Sequence, residues 1–372
     1  MSFIMTDSKE KKIHAEKIFT EVLQRDYYAQ FQGVDPVRNI FVLPEEGRSA
    51  TSSAVQIQIV TDLTKAGVKG NDDLSTNYDE LDFLPFTIEG ELYAKPLRSP
   101  VKIIMDRTTA DSWRRTKKSA LVQWNTQNNV RLKTYAICKD FTHVVCVKSD
   151  GSIVATPAEL AEGDVLGIEA VEEALQRAED GYENADGKKF PKLHPYTIEK
   201  ATVGGIEVIG EYYPFFVGSA SWRNIQNDPA YIAYQETKAQ SGDFSGVRGF
   251  KGEYKGAVFI RIGRDDGRTA GGLTSSSPAF DKFSNMSGYI GGGDAQTELN
   301  FLLGCGAVGV AFDTGPEYDE FDKSDDGRKV VAYTQQFLGV KKVRFVGESP
   351  AEMASIYHDI DAGTIGVIAT IK

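Results

Sequence analysis

One uninterrupted run constrains this chain more than any other feature. Residues 106–138, DRTTADSWRRTKKSALVQWNTQNNVRLKTYAIC, contain no glycine or proline. Those two residues cost a helix most, so their absence from a run this long predicts one long helix. Trp113, Ala120, Leu121, Trp124, Leu132 and Tyr135 fall on one face, and Thr108 or Thr109 is placed to cap the start. At 1.5 Å per residue such a helix spans roughly 45 Å. It is locally basic: Arg107, Arg114, Arg115, Lys117, Lys118, Arg131 and Lys133 outnumber Asp106 and Asp111. The expected use of that side is pairing with acidic neighbours or solvent, because the chain as a whole is a poor match for nucleic acid.

That mismatch follows from charge. The 372 residues carry a net charge of -11, and phosphate backbones are gripped by basic surfaces. Any contact with nucleic acid should therefore be weak. No window approaches the ~20 apolar residues of a membrane helix. The opening MSFIMTDSKEKKIHAEKIF reaches charges too early for a signal peptide. Three cysteines (Cys138, Cys146, Cys305) predict neither a disulfide framework nor a zinc site, but small buried side chains.

The segments before the long helix predict an arm and a projection. Residues 1–32 read as helical, ended by Pro36 and the PEEG at 44–47. In SSAVQIQIVTDL (52–63), Val55, Ile57 and Ile59 alternate with Gln56 and Gln58, the pattern of a strand with one apolar face. A turn-rich acidic stretch follows, then FLPFTIEGELYAKPLRSPVKII with Pro85, Pro96 and Pro100. Prolines at that spacing exclude a central strand and suit an extended two-stranded excursion. Such an excursion cannot bury both faces by itself, so it should lie on something else.

After the long helix, HVVCVKSDGSIVAT (143–156) predicts a hairpin turning at Asp150-Gly151. IEAVEEALQRAED (168–180) predicts a helix closed by Gly181. YYPFFV leads into a helix broken before Pro229. Strands are expected at 257–262, 329–334, 340–346 and 364–371, and AQTELNFLL (295–303) reads as helical. Helices and strands mix without strict alternation, which points to an α+β fold.

Motifs with chemical meaning are few. Gly304-Cys305-Gly306-Ala307-Val308-Gly309 spells a dinucleotide-binding fingerprint, but it lacks the preceding strand and following helix that the fingerprint needs. Close backbone packing is the expected use of these glycines. Asp322, Ser324, Asp326 and Gly327 echo a calcium loop whose twelfth position is Tyr333 instead of Glu. The cluster from Glu317 to Asp326 therefore reads as an exposed acidic turn. His14, His143, His194 and His358 have no nucleophile or metal-type spacing beside them, and GSASW (218–222) lacks the last glycine of a nucleophile elbow. No catalytic, cofactor or metal site is expected.

Four stretches carry a resemblance. LTKAGVKGNDDL (63–74) with FLPFTI, YYPFFVGSASWRNIQNDPAYIAYQ (212–235), FSGVRGFKGEYKGAVFIRI (244–262), and GVKKVRF with DAGTIGVIATIK (339–345, 361–372) resemble, in order and spacing, the N-four-type family of phage major capsid proteins. The resemblance implies the Hong Kong 97-type tailed-phage capsid fold. Its parts would be an N-terminal arm (1–50), an extended loop (51–99), a peripheral domain with a long spine helix (100–157 and 339–372) and an axial domain (158–338). It implies a structural protein, not an enzyme, that assembles with itself as hexamers and pentamers into an icosahedral head around double-stranded DNA. A portal protein, and scaffolding and decoration proteins, are the further partners it implies. No cofactor and no membrane are implied. Val55, Ile57, Ile59, Phe83 and Phe86 are then the expected interface residues on the loop. Gly67, Gly70 and Gly90 are its bends, and Arg114 and Arg115 a basic contact on the helix. Covalent cross-linking through Lys65, Lys69 or Lys95 is not expected, for no carboxylate is marked to catalyse it. Three other readings stay open: a nanocompartment shell of the same fold, a cytosolic α+β enzyme, and a tail or baseplate protein.

Overall fold

The structure is a computed structural model that describes residues 8–44, 54–60, 83–99, 107–154, 156–184, 187–203, 206–237, 247–261, 297–312, 317–324, 329–345 and 359–370. The chain opens with α1 (Ser8–Arg25), β1 (Gln32–Gly33), β2 (Phe41–Val42), β3 (Ala54–Val60), β4 (Phe83–Glu89), β5 (Glu91–Arg98) and the long α2 (Arg107–Cys138). Then come β6 (Val144–Val147), β7 (Ile153–Val154), α3 (Ile168–Asp180), β8 (Tyr182–Glu183), β9 (Lys189–Phe190), β10 (Tyr196–Val203), β11 (Ile206–Val217), α4 (Ser219–Gln226) and α5 (Pro229–Thr237). The last part holds β12 (Phe250–Tyr254), β13 (Ala257–Arg261), β14 (Thr297–Leu303), β15 (Val308–Phe312), β16 (Glu317–Ser324), β17 (Lys329–Lys342), β18 (Arg344–Phe345), β19 (Ile360–Asp361) and β20 (Thr364–Thr370).

Two sheets carry the body. The first is built on β17, a single strand of 14 residues where two separate strands were expected. β15 and β16 run in tandem along one edge of it, pairing with Leu338–Lys342 and Lys329–Gln335. β5 lines the other edge from Val331 to Leu338. Pro96 sits in β5, the outer strand among the described residues, as a residue without an N–H requires. The second sheet has the order β12-β13-β11-β14-β20-β6-β7, with β10 paired to β11. β14 occupies the run expected to be helical. All seven of its residues are buried. A strand covered on both faces shows no alternation, and so its period is hidden in the sequence.

The second sheet is covered on both sides. Phe216, Phe301, Leu303 and Ile368 face a core shared with Tyr28, Phe31, Phe41 and Ile137 of the amino-terminal segment and α2. Phe215, Val217, Leu302 and Val367 face the core made with α3, α4 and α5. Asp228 serves two helix starts at once. Its carboxylate accepts the Ala230 N–H at 2.9 Å in α5 and the Ile168 N–H at 2.8 Å in α3. The hairpin at Asp150-Gly151 and the helix closed by Gly181 form as read. Gly151 and Gly181 have φ of 81° and 75°, the left-handed region where glycine is favoured.

One carboxylate joins the two sheets. Asp361, buried just before β20, accepts from Lys342 Nζ at 2.8 Å and Arg344 Nε at 2.8 Å at the end of the first sheet. It also accepts the Thr142 N–H at 3.0 Å, and the Thr142 hydroxyl accepts the Asp361 N–H at 2.9 Å. Burial pushes the Lys342 ammonium below its ordinary pKa, against the pull of Asp361. The segments 100–157 and 339–372 contribute to both sheets. α2 and the end of β17 belong with the first sheet, while β6, β7 and β20 lie in the second.

Candidate assembly interface

Within the stretch read as an extended loop, β3 and β4 form a separate two-stranded sheet, while β5 lies in the first sheet. The β3–β4 register sets Val55 opposite Ile88, Ile57 opposite Phe86 and Ile59 opposite Leu84. Phe83 lies opposite Val60, an odd step from Phe86, so the two phenylalanines belong to opposite faces of the ribbon and not to one. Phe86 and Ile88 are buried against Val42, Ala311 and Val343 of the chain's own body, and the Lys341 ammonium lies 4.7 Å from the Phe86 ring centroid. This corrects the expectation for Phe86: it anchors the base of the loop within its own chain. Gly90 is no free bend either. A Cβ there would meet the Phe337 ring at 2.1 Å, so the β4–β5 corner is seated on β17. Gly67, Gly70, Lys65 and Lys69 lie outside the described residues.

Part of the basic side of α2 is spent within the chain. Lys117 pairs with Glu320 of β16 and Lys133 with Asp26, each pair fully buried. Lys118 pairs with Glu21 of α1 at 2.8 Å. Arg114 lies on the same helix, and Arg115 is exposed. The helix therefore holds the arm by charge as well as by contact: Ile18 and Val22 of α1 meet Leu121 and Val122 of α2.

The described part of the acidic cluster, residues 317–324, is a strand and not a turn. Glu317–Ser324 forms β16, in which Glu320 is the partner of Lys117 and Asp319 is bound by Lys11. Among the described residues no group of three metal-type ligands occurs, and no helix is long and apolar enough to cross a membrane. Residues 304–307 of the glycine motif join β14 to β15 through a turn at Gly306, whose φ is 70°, and Val308 and Gly309 already lie in β15. No helix follows, so the pyrophosphate reading fails. A Cβ on Gly304 would meet Leu193 at 2.9 Å and the His194 carbonyl at 3.0 Å, the close packing expected of it.

The cysteines are buried and free. Burial pushes the Cys146 and Cys305 thiols up to about 12, where almost no thiolate exists at neutral pH. In the native protein none of the three should react with a maleimide over minutes. All three should react in denaturant, read by mass.

No family model matches the chain. It is 21% identical over 347 residues to the major structural protein ORF14 of Helicobacter pylori bacteriophage KHP30, covering 87% of this chain and 86% of that protein. In structure it is similar to the head of Helicobacter pylori bacteriophage KHP40, with a TM-score of 0.67 at 19% identity over 94% of this chain and 91% of the other. The acid-stable capsid of phage KHP30 gives a TM-score of 0.66 at 19% identity over 93% and 91%. The architecture is thus the tailed-phage capsid fold. The resemblance to phage major capsid proteins read from the sequence is borne out.

Two features escaped the sequence reading. One is the pair of buried lysines on α2, which spacing alone cannot separate from surface lysines. The other is the β10–β11 hairpin, which Gly204-Gly205 between two extended runs would have revealed.

Proposed function

We propose that this chain is the repeating unit of an icosahedral head, assembled in the host cytoplasm as hexamers and pentamers around packaged double-stranded DNA. The observation that carries this is the β3–β4 ribbon. Its base is fixed to the body by Phe86 and Ile88, yet β3 has β4 as its only strand partner among the described residues. A lone two-stranded ribbon is marginal by itself. Laid across the adjacent copy it gains cover, and many such contacts in a closed shell add by multivalency. Val55, Ile57 and Ile59 are contact residues on this reading, and Arg114 and Arg115 supply a separate basic contact on α2. The first sheet with α2 acts as the peripheral part and the second sheet with α3–α5 as the axial part. A net charge of -11 suits a wall that touches DNA weakly. Portal, scaffolding and decoration proteins are its further partners.

Negative-stain microscopy and light scattering of the purified full chain test this. Closed shells, open sheets or capsomer-sized rings are expected. A uniform monomer or dimer at high concentration, with crowding agents present, rejects it. Shells that copurify with a cargo protein and no DNA select the nanocompartment reading.

A further inference from the structure

Three kinds of contact hold α1 to the body. Ile18 and Val22 pack on Leu121 and Val122 of α2. Lys11 pairs with Asp319 of β16, and Glu21 with Lys118 of α2. Between these ties His14 lies on Tyr318 of β16, ring centroids 4.5 Å apart and planes at 59°. The apolar contact has no proton to gain or lose. In the ion pairs the adjacent lysine holds each carboxylate below its usual pKa range, so both stay charged in mild acid.

His14 is the member of the set that mild acid can change. Its Nε2 is shielded from water and has no hydrogen-bond partner among the described residues. The groups facing it are mostly cations. Lys117 and Lys118 approach from α2, and Lys17 from its own helix. From β16, Glu320 is the carboxylate that attracts a charged ring. It is already held by the Lys117 ammonium and the Tyr318 hydroxyl, and Lys117 lies 5.5 Å from the Tyr318 ring centroid. Asp319, the other acid of that strand, is held by Lys11. Burial first, then Lys117, keeps the ring below its ordinary pKa of 6.5, against the pull of Glu320.

We infer that α1 is a proton-released latch: a proton on His14 frees α1 from α2 and β16 in mildly acidic solution while the two sheets stay folded. The sign follows from where the proton binds better. On the released helix the imidazole has its ordinary affinity, and on the docked helix a lower one. Docking is therefore complete above pH 6.5 and weakens as pH falls below it. Release uncovers Leu121 and Val122, which are fully buried while α1 is docked. The latch belongs to the single subunit and does not depend on assembly.

Amide hydrogen exchange of the full chain, read by mass between pH 7.5 and 5.5, tests this. Each peptide is referred to its unstructured exchange rate at the same pH. Peptides of α1 should lose protection by about threefold or more at pH 5.5, toward the limit of about tenfold that one proton binding at 6.5 supplies. Peptides of β14 and β20 should keep theirs. His14→Phe retains a ring against Tyr318 but cannot take a proton, so its α1 protection should stay constant over the window. Constant protection of α1 in wild type overturns the inference, and so does an equal loss in wild type and His14→Phe. A loss at α1 that comes only together with β14 and β20 also overturns it, because acid then unfolds the whole subunit. If His14→Phe does not fold, His14→Gln takes its place under the same expectation, and the wild-type profile rejects the latch in either case if it is flat.

Discussion

Lys133→Ala is expected to cost about 3–5 kcal/mol of subunit stability, the scale for removing one partner of a buried ion pair. Lys133 and Asp26 are both fully shielded from solvent and paired with each other, and the ammonium also lies 5.8 Å from the Phe41 ring centroid. Alanine leaves the Asp26 carboxylate buried with the Tyr28 N–H, 2.9 Å away, as a remaining donor. One such bond does not offset the desolvation of a charge. The double substitution Lys133→Met with Asp26→Leu removes both charges and should regain most of the loss. Denaturant unfolding of the three proteins decides the matter. A single substitution that costs under about 1 kcal/mol would mean that water reaches the pair.

The second large effect is a loss of stability in acid traced to His143. Its ring is buried, with centroids 4.4 Å from Phe190 and 5.7 Å from Tyr182. Its Nε2 has no hydrogen-bond partner among the described residues. Burial, helped by the positive Arg177 nearby, pushes its pKa down from 6.5 to about 3. The sign follows from where the proton binds. Below pH 6.5 the unfolded chain takes up a proton that the folded chain refuses, so the stability this group contributes is complete above pH 6.5. It is lost as pH falls toward 3. Over that window the loss amounts to about 4–5 kcal/mol, and to about 2 kcal/mol by pH 5. His143→Phe should flatten this part of the stability–pH curve while keeping the ring stack. Parallel curves for wild type and variant between pH 7 and 4 would exclude the assignment.

Much of the fold was legible because its signals are local. α2 contains no breaker, α3 ends at Gly181, and the α4–α5 break falls at Asp228-Pro229, where a capping side chain meets a residue suited to a first helical turn. What stayed hidden depends on partners distant in sequence. β14 looks helical because burial on both faces erases alternation. Phe86 reads as a free interface residue because nothing near it in sequence announces Val42 and Val343. Glu320 looks like one more surface carboxylate until Lys117, 203 positions away, is seen to close on it. Local pattern reports which elements exist. Which apolar face is already covered by the chain itself is a property of the packed whole.

The seating of β5 along β17 also decides how the subunit carries load. β4 and β5 meet at Gly90, so tension drawn through the loop enters β5 along its own axis. The eight register pairs from Arg98–Val331 to Glu91–Leu338 have hydrogen bonds that run across that axis. They are loaded together, in shear, instead of being peeled one rung at a time. If copies assemble through this loop as proposed, a wall pressed outward from within would meet its stiffest response along the line of β5 and β17.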